Sequence, residues 1–342
     1  SYGVLPEELL SMKLIVFWGF NARVGAPHLW ALSQEARKAG GCLVAIDPRK
    51  SETAEASDLW ISPKPGSDVA LAYGVMKHLI ENNLVDREFI EKHTHGFDRL
   101  REEVSRWDVK RIEDLTGVGW SQIEELGNLY AERKPSATMI GIGLQKGVCG
   151  AEAARAASLI PILVGIHRGF FYSNSRGWQV DTAYLTGESL TEKECWTVSQ
   201  VALGKLVEEG IFKFIYVYNS NPAQTLPNQL AFRRGLLRDD VFVVVHDTHW
   251  SETAKLADVV LPAPTFLEKE DLVIPYSHSL VLRSEKAVEP LGESRDELWV
   301  MKQLAKRLGV EEKWVYEEPW AAVEKALSNA FGEEDFFNKL MG

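Results

Sequence analysis

Three residue types recur at one fixed interval in this chain and could together hold a nucleotide. Asn21, Asp47 and Thr53 are followed 200 positions later by Asn221, Asp247 and Thr253. The register holds without a gap. VFVVVHDTHWSETAKLADVVLPAP, Val241 to Pro264, echoes CLVAIDPRKSETAEASDLWISPKP, Cys42 to Pro65. Ser51, Glu52, Ala54 and Asp58 match Ser251, Glu252, Ala254 and Asp258, and upstream Ile15 and Pro27 match Ile215 and Pro227. An acid after the second strand of an α/β unit accepts hydrogen bonds from ribose hydroxyls. The turn after the first strand offers backbone N–H groups and a helix N-terminus to phosphate. Asn21 and Asn221 can cap that helix or orient the turn. Thr53 and Thr253 offer hydroxyls near the acid, and Arg49 can neutralise a phosphate. His249 stands at the matching place in the second copy, so the two sites are not equivalent. The same residue types also make turns and N-caps, and for one copy alone capping is the simpler role. Two copies that keep the same residues weigh against it, because a cap accepts several types.

Two βαβ units must position these residues. Lys13 to Trp18 predicts a buried parallel strand that stops at Gly19-Phe20-Asn21. Pro27 suits the first turn of a helix through Lys38, which ends at Gly40-Gly41. Leu43 to Ile46 is the next strand. The crossover between such strands is right-handed, and ligands bind where strands end and helices begin. SETAEASD reads as a short helix capped by Ser51, then a strand at Leu59 to Ile61, and Ser67 or Asp68 can cap a helix through Leu79. Residues 86–133 read as mostly helical, and Ala137 to Ile142 as a strand running into Gly141-Ile142-Gly143. Ala151 to Val164 reads as a small-residue helix, residues 165–187 as a long ordered loop, and Glu194 to Glu209 as a helix. Phe212 to Tyr218 opens the second unit, which runs through Pro262. A strand at Leu280 to Val288, a helix at Arg295 to Leu308 and a helical acidic tail from Glu317 to Met341 follow. The predicted fold class is α/β, with two Rossmann-like doubly wound parallel-sheet domains related by internal duplication. Their expected bounds are residues 1–146 and 147–310, with a helical tail at 311–342.

Composition excludes several classes. A length of 342 residues suits about two domains, and 45% hydrophobic residues suit a full core. The net charge of −11, with no basic stripe, argues against nucleic acid or an anionic membrane as partner. Cys42, Cys149 and Cys195 lie far apart and make no C-x-x-C, so no iron–sulfur or structural zinc motif is expected. No apolar run reaches membrane-spanning length. A cytoplasmic location is expected, with any export signal upstream of Ser1. The abrupt start reads as a piece of a longer polypeptide or a split enzyme. G-x-G-x-x-G is absent from both loops, which disfavours a plain nicotinamide dehydrogenase.

Motifs beyond the repeat carry a family resemblance. LIVFWGFN, IDPRKSETAEASDLW, KPGSD, GIGLQ, YNSNPAQTLPN, VHDTHWSETAKLADVVLPAPTFLEKED and EPLGESRDELW run through nearly the whole chain. Together they resemble the molybdopterin oxidoreductases of the dimethyl sulfoxide reductase and formate dehydrogenase type. The resemblance implies two molybdopterin guanine dinucleotides around one molybdenum or tungsten, with one guanosine diphosphate end in each Rossmann-like domain. It implies that Gly19, Asn21, Asp47, Arg49, Thr53, Gly66 and Asp68, with Gly143 of GIGLQ, line one nucleotide site. Asp68 would meet the guanine edge. Asn219, Asn221, Asp247, Thr248, Thr253 and Asp258 would line or support the other, with a structural role open for Asp58 and Asp258. The implied chemistry is two-electron transfer of an oxygen atom or a hydride equivalent.

This sequence also departs from that family. The four-cysteine iron–sulfur motif, the metal-binding side chain and the C-terminal cap domain are not in this stretch. The expected role is therefore a cofactor-binding core, inactive alone, partnered by an iron–sulfur domain or subunit and a cap domain. The common E-K-E-G reads Glu268-Lys269-Glu270-Asp271 here, and a glycine-rich loop is shortened to Gly165-Ile166-His167-Arg168-Gly169. That leaves the substrate open and no catalytic residue assigned. His167 and Arg176 lie where formate dehydrogenases hold a substrate-side Arg, but an exposed loop Arg is the simpler reading. The alternative function is a non-catalytic scaffold related to the large iron–sulfur subunit of respiratory NADH dehydrogenase.

Overall fold

Five consecutive apolar residues, Leu14–Trp18, form β1, and all five are buried. That pattern belongs to a parallel strand covered on both faces. The computed structural model describes residues 3–171, 180–190, 195–275, 280–328 and 340–341. The chain divides into two units, Ser1–Gly177 with Pro275–Ser279, and Trp178–Ile274 with Leu280–Gly342.

In the first unit, β1 is followed by α1 (Ala22–Gly25), α2 (Pro27–Lys38), β2 (Cys42–Ile46), α3 (Glu52–Ala56), β3 (Leu59–Ile61) and α4 (Asp68–Glu81). A helical stretch comes next: α5 (Arg87–His93), α6 (Phe97–Ser105), α7 (Val109–Thr116) and α8 (Trp120–Glu132). Then come β4 (Ser136–Ile140), α9 (Ile142–Gln145), α10 (Gly150–Leu163) and β5 (Phe170–Phe171). The sheet order is β3-β2-β1-β4-β5, and every pairing is parallel. The order reverses between β1 and β4, and the crevice beyond the strand ends there is the ligand position of such sheets. Leu14, Val16 and Trp18 enter a core with residues of α4, α8 and α10, while Ile15 and Phe17 enter a second core that includes Ala36 of α2.

The second unit contains α11 (Thr182–Leu185), α12 (Gln200–Glu208), β6 (Phe214–Tyr218), α13 (Pro222–Thr225), α14 (Gln229–Leu236), β7 (Phe242–Asp247) and β8 (Val259–Pro262). β9 (Asp271–Val273), β10 (Leu282–Ser284), α15 (Glu297–Leu308) and α16 (Pro319–Leu327) complete it. β6-β7-β8 is a parallel sheet, and β9 with β10 an antiparallel pair. β1 pairs β2 from Leu14↔Cys42 to Trp18↔Ile46, and β6 pairs β7 from Phe214↔Phe242 to Tyr218↔His246. The register is the same, shifted by the sequence interval. The molecule is thus α/β with parallel sheets, as expected.

Several boundaries differ from the sequence reading. The first unit does not end at residue 146, because Ala156, Ala157, Ile160 and Leu163 of α10 sit in its core and β5 pairs with β4. Residues 311–328 belong with the second unit rather than forming a separate tail. Phe170-Phe171 is a strand inside the expected loop, too short to show a period. α7 lies within the stretch expected to be mostly helical; Asp108 caps it by accepting from Arg111 N at 2.8 Å, and Gly117 ends it at φ 69°. Neither Ser67 nor Asp68 caps α4. The expected strand at 280–288 narrows to Leu282–Ser284, and the helix expected from Glu194 begins at Gln200. Glu194, Arg176 and residues 329–339 of the tail lie outside the described residues. Among the described residues no helix is long and apolar enough to cross a membrane.

Candidate functional site

The loop after β1 is held by a brace between Asn21 and Thr53. Asn21 Oδ1 accepts from Thr53 N at 3.3 Å and Thr53 Oγ1 at 2.9 Å, and Thr53 Oγ1 accepts from Arg23 N at 3.0 Å. The second unit repeats it. Asn221 Oδ1 accepts from Thr253 N at 3.1 Å and Thr253 Oγ1 at 2.8 Å, and Thr253 Oγ1 accepts from Ala223 N at 3.1 Å. Both threonines are fully buried. Their hydroxyls are therefore not offered to a ligand, as the sequence reading had it; they fix the loop. The Asn side chains orient the turn and cap no helix. Their amide Nδ2 groups are also engaged, donating to Glu52 Oε2 at 2.8 Å and to Gln224 Oε1 at 2.8 Å.

Asp258 needs a larger correction. Its Oδ2 accepts from Val243 N at 2.7 Å while its own N–H donates to Val243 O at 2.9 Å. Asp58 does the same to Leu43, at 2.8 Å in both bonds. Leu43 and Val243 lie at the amino ends of β2 and β7, opposite the strand ends that form the crevice. Asp58 and Asp258 are clamps of the sheet, and Asp258 does not line the site.

Asp47 and Asp247 stand at the carboxyl ends of β2 and β7. Asp47 Oδ1 accepts from Arg49 N at 2.9 Å, and Asp247 Oδ1 accepts from Thr248 N at 2.7 Å. Each acid spends one oxygen shaping its own loop, and among the described residues no donor meets either Oδ2. Arg49 is exposed, 3.8 Å from Glu52, and Thr248 Oγ1 pairs with His249 Nδ1 at 2.7 Å. The loops after β1 and β4 meet at glycine. Gly19 has φ 60° and donates to Ile46 O at 2.7 Å, and Gly141 N donates to Trp18 O at 2.9 Å. A Cβ on Gly141 would lie 1.7 Å from Gly19 O. Gly143 by contrast is exposed, and a Cβ there would meet nothing within 4 Å.

Asp68 accepts from the buried Trp18 indole, Nε1 to Oδ1 at 2.8 Å, two residues after exposed Gly66 at φ 84°. Its Oδ2 has no donor among the described residues. In the second unit the matching position is Glu268, and both of its oxygens are consumed. Oε2 accepts from Thr265 N at 2.7 Å and Thr265 Oγ1 at 2.8 Å, and Oε1 accepts from Leu291 N at 2.7 Å. The Thr265 N–H, the Thr265 hydroxyl and the Leu291 N–H hold this carboxyl below the ordinary range. The two sites thus differ more than His249 alone implies.

Sequence reasoning missed Gly141 as the residue of closest approach, and it missed a charged cluster at Asn219. Asn219 takes the place of Gly19, with φ 49°, and its Nδ2 donates to Glu297 Oε1. Lys269 Nζ contacts both Glu297 oxygens, at 3.2 and 3.1 Å. The constant interval would have pointed to the Gly19–Asn219 match. Burial pushes the Glu297 carboxyl up, but bonds from its own helix N–H, Lys269 and Asn219 outweigh it, so the net shift is downward. Its stabilising effect is fully present above the ordinary Glu value of about 4.3 and is lost as pH falls through the lowered folded value. Glu297→Gln is expected to melt below the wild type at pH 7, with the gap closing below about pH 4. Melting temperatures across that window check it; a gap that ignores pH would show that charge is not the cause.

The pattern of the family described as "Molybdopterin oxidoreductase" matches residues 7–307. The chain belongs to the molybdopterin oxidoreductase family. "Probable oxidoreductase YoaE" of Bacillus subtilis (strain 168) is 33% identical over 336 residues, 96% of this chain and 49% of that protein. "F420-dependent formate dehydrogenase subunit alpha" of Methanocaldococcus jannaschii is 27% identical, covering 91% of this chain and 49% of that one. In fold, the chain is similar to "Acetylene Hydratase from Pelobacter acetylenicus", with TM-score 0.72, 24% identity, and coverage of 96% of this chain and 51% of that one. The chain therefore spans about half the length of these relatives. The family is one of oxidoreductases that bind molybdopterin with molybdenum or tungsten. In the first unit an acid oxygen is open at Asp47 and another at Asp68, and Arg49 supplies an exposed cation. Among the described residues no cluster of three His, Cys, Asp or Glu could hold a metal ion.

Proposed function

We propose that this chain is the nucleotide-holding core of a molybdenum or tungsten bis(molybdopterin guanine dinucleotide) oxidoreductase. The observation that carries it is the doubled brace, which leaves Asp47 and Asp247 at matching strand ends with one carboxylate oxygen open on each. In this reading those oxygens accept from ribose hydroxyls. The N–H groups of the loops beginning at Gly19 and Asn219 face phosphate. Asp68 Oδ2 accepts from the N–H edge of guanine, while Oδ1 stays on the Trp18 indole. When bound, the cofactor supplies two-electron chemistry with an oxygen atom or a hydride equivalent. The chain's own residues orient it and neutralise its charge. The iron–sulfur domain or subunit, the metal ligand and the cap domain are expected from polypeptide outside these residues. The 342-residue chain alone is expected to be inactive. A scaffold role is not favoured, because a scaffold has no use for paired acids with open oxygens.

Guanosine diphosphate should raise the melting temperature, since a ligand at a hundredfold excess over its Kd stabilises by about 2.7 kcal/mol. Asp68→Asn keeps an acceptor for the Trp18 indole but loses the charge. Its affinity should fall about tenfold or more with stability little changed, since a bond to a charged group contributes about 1.5–3 kcal/mol. Asp68→Ala should in addition cost about 1–3 kcal/mol of stability by stranding a buried indole N–H. Absence of any thermal shift with millimolar guanosine diphosphate would count against the nucleotide site. Equal binding by Asp68→Asn and the wild type would remove Asp68 from it.

A further inference from the structure

The loops beyond the second and third strands of each unit carry different chemistry in the two copies. In both units these loops start side by side: Asp47 N donates to Ile61 O at 3.0 Å, and Ala263 N donates to Asp247 O at 3.1 Å. In the first unit Lys50 Nζ lies over the Trp60 ring, 5.6 Å from its centroid, and the Trp60 indole donates to Asp47 O at 2.9 Å. The aromatic ring is thus tied into the sheet end and faced by a cation. The loop after β3 then brings Gly66, Ser67 and Asp68, whose Oδ2 is open among the described residues.

At the constant interval the second unit has Trp250 for Lys50, Val260 for Trp60, Phe266 for Gly66 and Leu267 for Ser67. The indole has moved from the strand to the loop. Trp250 is 72% exposed, Phe266 73% and Leu267 47%. The loop that carries Phe266 is fixed by residues further along the chain, since Leu267 O accepts from Ala287 N at 2.8 Å and from Val288 N at 3.1 Å. Glu268, at the place of Asp68, spends both oxygens on Thr265 and Leu291. Trp250 follows Asp247 by three residues, a span of at most about 10 Å, so its ring is within reach of a base on the ribose that Asp247 would hold.

Guanine differs from adenine in its N1–H and 2-amino donors, and reading them takes an acceptor. Asp68 has one to give and Glu268 does not. An aromatic ring needs none, because every base has a face to stack, so stacking tolerates the identity of the base. We propose that the two nucleotide positions read different things: the first selects guanine through Asp68, and the second holds its base by stacking on Trp250, beside the apolar Phe266 and Leu267, and takes adenine as well as guanine. This rests on the nucleotide-holding reading above and adds to it a division of base selectivity between the units.

Titration calorimetry of the 342-residue chain with guanosine diphosphate, and separately with adenosine diphosphate, tests it. Guanosine diphosphate should fill two positions and adenosine diphosphate one. Asp68→Asn should leave one position at full strength, where the two nucleotides differ by less than about threefold. Trp250→Ala should weaken adenosine diphosphate about tenfold or more and keep one position for guanosine diphosphate. Trp250→Phe retains a ring and should stay within about threefold of the wild type. Trp250 is largely exposed, so both variants should melt within about 2 °C of the wild type. Two positions for guanosine diphosphate and none for adenosine diphosphate would overturn the tolerance of the second position while leaving the nucleotide reading standing. Two equal positions for adenosine diphosphate would overturn the selectivity of the first. Unchanged binding of adenosine diphosphate by Trp250→Ala would remove the indole from the site. Failure of both nucleotides to bind would take down the nucleotide reading itself, and this inference with it.

Discussion

Replacing Gly141 by alanine is expected to lower stability by several kcal/mol and to disturb the site at its centre. Gly141 follows β4 and is buried against the loop that follows β1. A Cβ there would lie 1.7 Å from Gly19 O, 2.6 Å from Gly19 C and 3.2 Å from the Phe20 Cα. All three are backbone atoms, so no side chain can swing away. The loops must part, and parting them stretches the 2.9 Å bond from Gly141 N to Trp18 O. Overpacking costs about 1–3 kcal/mol and a lost hydrogen bond about 1 kcal/mol more. At about 2–4 °C per kcal/mol for a unit of this size, the melting temperature should fall by about 5–15 °C. Gly143→Ala is the control, because nothing lies within 4 Å of its Cβ position. It should stay within about 0.5 kcal/mol of the wild type. Equal melting temperatures for the two variants would refute the close approach of the loops.

Asn21→Ala and Asn221→Ala should each lower stability by about 2–4 kcal/mol, because each strands two donors of a fully buried threonine. Aspartate variants separate the two units. Asp at either position keeps the acceptor for threonine but loses the amide donor. At position 21 the amide partner is the Glu52 carboxylate, and at 221 it is the neutral Gln224 amide. Glu52 is held below the ordinary range by its own helix N–H first and by Asn21 next. Asn21→Asp would set two carboxylates at hydrogen-bond distance, so it should recover little. Asn221→Asp should recover most of the loss. Urea unfolding of the four variants measures this; equal recovery at 21 and 221 would show that the carboxylate of Glu52 plays no part.

The fold was legible wherever a short-range pattern set it. Trp18 ends β1 where glycine follows, Pro27 opens α2, and Ser51 caps α3 by accepting from Ala54 N at 3.4 Å. The doubled register reappears as doubled strand pairing. Boundaries set by long-range pairing were not legible. Phe170-Phe171 shows no period and is a strand only because Thr138 and Met139 lie beside it. α10 reads as the start of a second domain until Ile160 and Leu163 are found in the core of the first.

For the site, the residue types and their interval were written in the chain, because a repeated sequence brings repeated local bonding. Which of them keep a polar atom open was decided only by the folded structure. Thr53 and Thr253 turn inward, Asp258 works at the far end of its strand, and Asp68 divides its two oxygens between an indole and open space. Such choices depend on what packs across the sheet from residues far away in sequence, and a linear pattern carries no record of which atoms are left without a partner.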